Sequence, residues 1–592
     1  MSVKIDYSRD SLLEEFALAT LRDRYMVPGE TSPQEAFARA AECFADDEDH
    51  AQRLYDYVSN LWFMFATPVL SNGGTRRGLP ISCFLNYVDD SREGITDHFT
   101  ENAFLSSFGG GIGGSWSDVR SSGTKTSKGS ESTGVIPFVK VVDAEMLAFS
   151  QGVTRRGSYA GYLHISHPEV EEFLDVRKPT GGDTNRKCLN LHHGVVVSDD
   201  FMELIHNATR TPDFDDSWNL IDPHSKLVVK TVSARALWVK ILQNRMETGE
   251  PYLMFEDAVN NDLPDFQKRK GLKVHHSNLC SEITLATDEE RTAVCCLSSV
   301  NLEYYDEWKN HGAFIPDLIR MLDNVLTYFI EHAPDQLEKA KFSAMRERSI
   351  GLGAMGFHAY LQKNDIPFES GLAGGCNLEM FSHIKHKADQ TTRQLATERG
   401  ACPDDDTASV RNAHLLAIAP NASSSILCGN TSPSIEPFRA NAYTQKTKTG
   451  SNLVKNKYLD KILSDICGVD NARYEEYWRS IVANKGSVQH LDILEDWVKD
   501  VFKTAVEINQ SWVIEHASVR QQFICQSQSV NLFFPPDVNK GDLHNVHMLA
   551  WAKNLKTLYY LRSEAISRAD NVSSQAKREI IFEQSDCLSC EG

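Results

Sequence analysis

The 592-residue chain lacks most features from which a function is read at first glance. It has no G-x-x-x-x-G-K-[ST] phosphate loop, no internal repeat and no Pro/Ser-rich linker. The apolar cluster at residues 61–66 is far too short to cross a bilayer. No apolar h-region follows Met1-Ser-Val-Lys-Ile-Asp6, so neither a membrane span nor secretion is expected. Positive charge is also scarce. A net charge of -20 argues against a broad nonspecific nucleic-acid surface, yet leaves room for a phosphate-bearing small molecule held by a few local groups. Nor is there a disulfide framework, because thirteen cysteines, an odd number, lie at irregular spacings. That usage fits a reducing cytosol, and a cytoplasmic location is expected. Cys43, Cys188, Cys376, Cys402, Cys428, Cys467 and Cys525 read as small buried hydrophobes.

The length allows two to four domains or one large barrel. Apolar residues recur at helical spacing in residues 12–21, 36–43 and 54–65, with Ser32-Pro33 at a helix start. Residues 1–66 therefore read as a short helical region. Strand candidates at Gly194–Val197 and Gly134–Val142 then alternate with helical stretches at Ala234–Met246 and Ile315–Glu331. Such alternation over about 450 residues predicts an α/β architecture with parallel strands, and a barrel is more economical than several separate sheets. From residue 563 the chain turns polar and ends in Cys587-Leu-Ser-Cys590-Glu-Gly592, a flexible tail carrying a dithiol.

Chemistry concentrates first in Asn278-Leu279-Cys280-Ser281-Glu282. In an extended segment alternate residues share a face, which predicts that Asn278, Cys280 and Glu282 converge on one small volume. A carboxylate beside a thiol disfavours a thiolate, so the place suits a neutral S–H better than an ionised nucleophile.

The remaining motifs are weaker one by one. Gly109–Gly114 satisfies G-x-G-x-x-G almost automatically, and residues 94–108 before it look helical, the wrong context for a dinucleotide fold. It reads instead as a loop whose backbone N–H groups approach a ligand closely. Pro420-Asn-Ala-Ser-Ser-Ser425 follows an apolar run at residues 415–419, and a strand ending in small hydroxylated residues suits a phosphate. The terminal C-x-x-C is well placed for thiol–disulfide exchange with Cys83 and Cys295; a zinc site lacks two further ligands nearby, and no metal is expected. The adjacent Tyr559 and Tyr560 are either core plus surface or a pair that relays an electron and a proton.

Together these residues resemble the catalytic large subunit of class I ribonucleotide reductase. The matches stand in order along nearly the whole chain: Ala66-Thr67-Pro68-Val69-Leu70, Ile81–Leu85, Gly109–Gly114, Gly134–Phe138, Asn278–Glu282, Val294–Ser298 with Asn301-Leu302, Pro420–Ser425, Leu558–Arg562 and the terminal C-x-x-C. The resemblance implies a ten-stranded α/β barrel over residues 67–562 with the active cysteine on an inner finger loop, followed by the tail at 563–592. It implies that Cys280 becomes a thiyl radical and removes the 3′-hydrogen of a ribonucleoside diphosphate. Glu282 would be the general base at the 3′-hydroxyl, and Asn278 would bond the sugar hydroxyls. Cys83 and Cys295 would reduce the 2′ position and finish as a disulfide. Cys296 leaves a choice, although spacing to Leu297-Ser298 and Asn301-Leu302 favours Cys295.

Cys587 and Cys590 would re-reduce that disulfide and in turn be reduced by thioredoxin or glutaredoxin. Thr67, Ser82, Gly110 and Gly111 would contact substrate, with Pro420, Asn421, Ala422, Ser423 and Ser424 around its diphosphate. Tyr559 and Tyr560 would relay a radical from a metal-containing small (beta) subunit, this chain binding no cofactor itself; the pair favours class I over the cobalamin-dependent class. Asp90, Arg120 and Arg156 match positions that bind nucleoside triphosphate effectors (dNTP or ATP) across a homodimer interface, with residues 121–132 expected to be disordered without nucleotide. The segment before Thr67 is too short to hold both a helical region and an ATP-cone, so the cone is expected to be absent.

Overall fold

The computed structural model describes residues 3–81, 83–149, 157–447 and 450–563, the side chains of 444–452 excepted. Ser82, Arg156, Cys587 and Cys590, together with the tail, lie outside the described residues.

The barrel is built from two runs of five parallel staves. Cys83–Tyr87, Gly111–Ser115, Ser158–His164, His192–Val197 and Tyr252–Phe255 pair side by side, each parallel to the next. Helices such as Arg92–Ser107 and Ala234–Thr248 make the return crossings that parallel strands require. The second run begins with Ala293–Asn301 beside Ile350–Met355. It continues through residues 415–418 and 526–530, joined by the parallel bridges Leu352 to Leu416 and Ile418 to Gln528. Residues 557–562 complete it, with the Tyr559 amide on the Val530 carbonyl and Leu532–Phe533 parallel to Leu561–Arg562. Two antiparallel seams close the ring: residues 83–85 against 293–295, and Thr557-Leu558 against Leu253-Met254.

The helical stretches expected at Ala234–Met246 and Ile315–Glu331 are present as Ala234–Thr248 and Phe314–His332. The strand expected at Gly134–Val142 is instead the start of the helix Ile136–Ala148. Pro137 sits in the first turn, where its missing N–H costs nothing, and Val135, Val139, Val142 and Met146 bury one helical stripe. The helix expected to reach residue 65 stops at Ser59, and Phe63–Phe65 pairs antiparallel with Ser298–Val300. Residues 121–132, expected to be disordered without nucleotide, form a small hairpin. Asp222 pins it by accepting from the Ser121 amide and hydroxyl, both at 2.8 Å, and from the Thr124 hydroxyl at 2.9 Å. Cys43, Cys376, Cys467 and Cys525 are half-buried rather than buried.

In the N-terminal helices Ser32 forms a capping box with Glu35, and Pro33 opens the helix Pro33–Phe44. Their apolar faces join the hydrophobic core of the barrel, and Arg53 grips Asp317 with two bonds of 2.7 and 3.0 Å. Residues 442–502 carry a second core around Leu459, Leu463, Trp478 and Phe502, which the sequence did not announce.

Two inner-wall glycines set the barrel's capacity. A Cβ on Gly113 would stand 2.0 Å from the Ser277 carbonyl oxygen, and one on Gly351 would stand 3.0 Å from the Cys295 sulfur. Gly113→Ala is therefore expected to destabilise the protein by about 1–3 kcal/mol, the usual cost of overpacking. Gly371→Ala, at the open start of a helix, meets nothing within 4 Å and serves as the neutral control. Denaturant midpoints of the two variants check this.

Candidate active site

Residues 273–287 run through the barrel interior as an irregular segment, and Asn278, Leu279, Cys280, Ser281 and Glu282 on it are all buried. His276 is held neutral, burial pushing it down to about 3, so its Nε2–H donates to the Gly113 carbonyl at 3.0 Å. The Tyr162 hydroxyl donates to the Asn278 carbonyl at 3.1 Å and lies 2.5 Å from the Ser277 hydroxyl.

The expectation of an extended 278–282 segment does not hold. The Ser281 amide donates to the Asn278 carbonyl at 3.3 Å, and Ser281 has φ 68°, so the chain makes a tight turn at Cys280. The asparagine side chain closes that turn, because its Oδ1 accepts from the Ile283 amide at 3.1 Å. The backbone of Cys280 and the carboxyl of Glu282 share one partner. The Ser529 hydroxyl is 2.5 Å from the Cys280 carbonyl and 3.3 Å from Glu282 Oε2. Asn278 Nδ2 is buried without a partner among the described residues. Such a group costs about 1–3 kcal/mol, which a ligand oxygen would offset.

Cys83 and Cys295 stand opposite each other across an antiparallel seam, and Gly111 flanks Cys83 on its other side. Directly opposed residues hold their Cα atoms about 4.5–5.5 Å apart on a common face. That lies inside the roughly 4.4–6.8 Å range a disulfide spans. Burial pushes the Cys295 thiol well above its usual range, with the neighbouring Cys296 adding to the effect. Cys296 points the other way, its sulfur donating to the Leu322 carbonyl of the outer helix at 3.3 Å. Strand alternation thus settles which of the adjacent pair faces inward.

Cys280 also packs in one cluster with Leu279, Tyr162, Tyr252, Tyr559 and Tyr560. The Tyr559 and Tyr560 ring centroids are 4.3 Å apart, and Tyr252 lies 4.8 and 5.1 Å from them. The Tyr560 hydroxyl is 3.2 Å from His192 Nδ1, which Glu250 holds at 2.6 Å.

Asn421 begins the helix Ala422–Leu427 in a left-handed conformation, φ 54°. Its Oδ1 accepts from Ser299 at 3.0 Å, tying it to the strand that carries Cys295. The amides of Ala422, Ser423 and Ser424 precede the first helical bond, from the Ser425 amide to the Asn421 carbonyl at 3.0 Å. Pro420 leads into this turn from the stave at residues 415–418. Thr67 starts the helix Thr67–Asn72, its hydroxyl 3.1 Å from that of Tyr25. The Gly110 carbonyl accepts from the Ser158 amide at 3.1 Å, one residue before the Cys83 row. Asp90 and Arg120 meet in an ion pair of 2.9 Å, with His224 3.1 Å from Asp90.

Sequence reasoning missed Tyr162, Tyr252, His192, Glu250, Gln526 and Ser529. Tyr252 alone carried a signal, an aromatic in an apolar strand-like run; the others sit in stretches without a motif. Among the described residues, no group of acidic, His or Cys side chains is arranged to hold a metal ion, and no helix is long and apolar enough to cross a membrane.

Comparison with known proteins agrees with this geometry. The model of the ribonucleotide reductase all-alpha domain matches residues 11–78, and that of the barrel domain matches 81–408 and 404–561. A ribonucleoside-diphosphate reductase large subunit of Invertebrate iridescent virus 3 is 44% identical, with 100% of each chain covered. A putative large subunit of Frog virus 3 is 49% identical over 92% of each. The solved alpha subunit of the Actinobacillus ureae class Id ribonucleotide reductase is 35% identical, with TM-score 0.81, over 96% of this chain and 99% of that one. With its opposed cysteine pair, buried thiol turn and tyrosine cluster in one barrel, this chain belongs to the ribonucleotide reductase large-subunit family, the ribonucleoside-diphosphate reductases.

Proposed function

We propose that the chain reduces ribonucleoside diphosphates to 2′-deoxyribonucleoside diphosphates, providing DNA precursors, by a thiyl-radical mechanism. The observation that carries the reading is that one barrel holds three buried thiols of different surroundings. One is on a turn beside a carboxyl group and a tyrosine cluster, and two are opposed at disulfide range.

In this reading a metal-containing small subunit supplies the oxidising equivalent, and Tyr560 and Tyr559 pass it to Cys280. The Cys280 thiyl takes the 3′-hydrogen atom while Glu282 takes the 3′-hydroxyl proton. The 2′-hydroxyl leaves as water with a proton from one of the opposed thiols. Cys83 and Cys295 together give two electrons and two protons and end as a disulfide. Cys280 then returns the hydrogen atom to C3′ and is a thiyl again, while Glu282 returns its proton to the 3′-oxygen. The sum is substrate plus two thiols giving deoxy product, disulfide and water. Cys587 and Cys590 regenerate the pair by thiol exchange and are themselves reduced by thioredoxin or glutaredoxin.

Asn278 Nδ2 supplies the sugar contact, with Thr67, Ser82, Gly110 and Gly111 lining the substrate. The open amides of the 420–424 turn hold the diphosphate. Asp90, Arg120 and Arg156 bind a nucleoside triphosphate effector in a homodimer, and the enzyme works in the cytoplasm.

CDP reduction with dithiothreitol tests the reading, comparing the chain alone, with adenosylcobalamin, and with a cognate small subunit. Turnover is expected only with the small subunit, and Tyr559→Phe abolishes it; turnover with cobalamin sinks the reading. A second expectation separates the adjacent cysteines. Cys295→Ser loses multiple turnover with dithiothreitol by at least about 100-fold, as loss of a reacting group does, whereas Cys296→Ser, facing the outer helix, keeps most of it. Equal losses in both variants, measured as dCDP formed per minute, count against the assignment of Cys295.

A further inference from the structure

Residues 526–529, Gln-Ser-Gln-Ser, form the stave that faces the finger turn, and nothing in the chemistry above uses their side chains. Ser529 is 2% exposed. Its single hydroxyl proton serves the Cys280 carbonyl at 2.5 Å, while its oxygen lies 3.3 Å from Glu282 Oε2. One small group therefore touches both the backbone of the radical thiol and the carboxyl of the base. When Glu282 has taken a proton, its O–H can donate to Ser529 Oγ, which still donates to the Cys280 carbonyl. When Glu282 is ionised, the same hydroxyl proton stands between two acceptors.

Three residues back, Gln526 is fully buried, its Nε2 3.6 Å from the Cys295 sulfur and 3.0 Å from the Ile350 carbonyl. Its Oε1 has no partner among the described residues. The Ser527 amide donates to the Glu282 carbonyl at 2.8 Å, which locks the stave to the turn between these two contacts.

We propose that Ser529 and Gln526 are positioning residues of the reduction. Ser529 holds Cys280 and Glu282 in the geometry for concerted hydrogen-atom and proton removal, and Gln526 holds the Cys295 sulfur towards the substrate. The proposal rests on the thiyl reading of the preceding subsection. Each acts through another residue, Ser529 through Cys280 and Glu282 and Gln526 through Cys295, so the signature lies in the rate step and not in substrate affinity.

The test uses the full chain with its small subunit and CDP. Losing a hydrogen bond to a charged group is worth about 10–100-fold in rate. Ser529→Ala is expected to lower kcat by that factor, to leave KM for CDP within about twofold, and to raise the isotope effect of 3′-deuterated CDP. Ser529→Thr, which keeps the hydroxyl, restores most of kcat. Gln526→Leu, of similar shape, slows single-turnover dCDP formation by the pre-reduced enzyme with KM again unchanged. An unchanged kcat in Ser529→Ala overturns the proposal. So does a fall in kcat accompanied by a lower melting temperature and an unaltered isotope effect, which marks mere support of the fold. Cys280→Ala and Glu282→Gln run alongside. If they retain activity, the thiyl reading itself fails; if they are inactive while Ser529→Ala is fully active, only this proposal fails.

Discussion

A segment of chain buried inside a barrel has no water for its peptide groups, so the barrel wall must satisfy them. This requirement governs the molecule. The Asn278 carbonyl accepts from Tyr162, that of Cys280 from Ser529, that of Ser281 from Thr557 and that of Glu282 from the Ser527 amide. These donors come from three different staves, so the turn bearing Cys280 exists only when the ring is closed. Gly113 is the steric counterpart, since any side chain there would occupy the position of the Ser277 carbonyl. The polar wall and the missing Cβ are two halves of one solution, which admits the segment and then leaves none of these four carbonyls without a donor.

Register does for the opposed cysteine pair what hydrogen bonding does for the turn. Opposition of Cys83 and Cys295 follows from the antiparallel seam between the two half-barrels. A slip of one residue would turn Cys295 outward and bring Cys296 in, because side chains alternate strictly across a strand. The outer helix Phe314–His332 contributes to the choice, offering the Leu322 carbonyl to Cys296. The seam is thus both a structural joint and the place where two thiols stand opposed.

The aromatic cluster gives Cys280 its third set of neighbours. Tyr559 and Tyr560 lie in an extended stave, and alternation alone would send adjacent side chains to opposite faces. They nevertheless lie 4.3 Å apart, with Tyr252 of the facing strand against both. Contact among the three rings and Cys280 unites residues from widely separated parts of the chain in one apolar volume. At one edge the volume becomes polar, where His192 and Glu250 meet the Tyr560 hydroxyl.

Much of this was legible in the sequence. Alternation of strand and helix signals pointed to a parallel barrel. The order of the motifs pointed to the family. Local pattern failed where distant contacts decide, as at the helix Ile136–Ala148, whose apolar stripe reads equally well as a strand until it has a surface to pack against. It failed again at the finger, where alternation suggested an extended segment and the Asn278 side chain built a turn. Ser529, Gln526 and Tyr162 were invisible, for a serine, glutamine or tyrosine becomes a support only through what faces it. Sequence by itself determined which residue types are present and in what order, since composition and spacing are properties of the chain. Tertiary structure alone decided which thiols face one another and what holds them, because those relations are made across staves hundreds of residues apart and depend on register and closure.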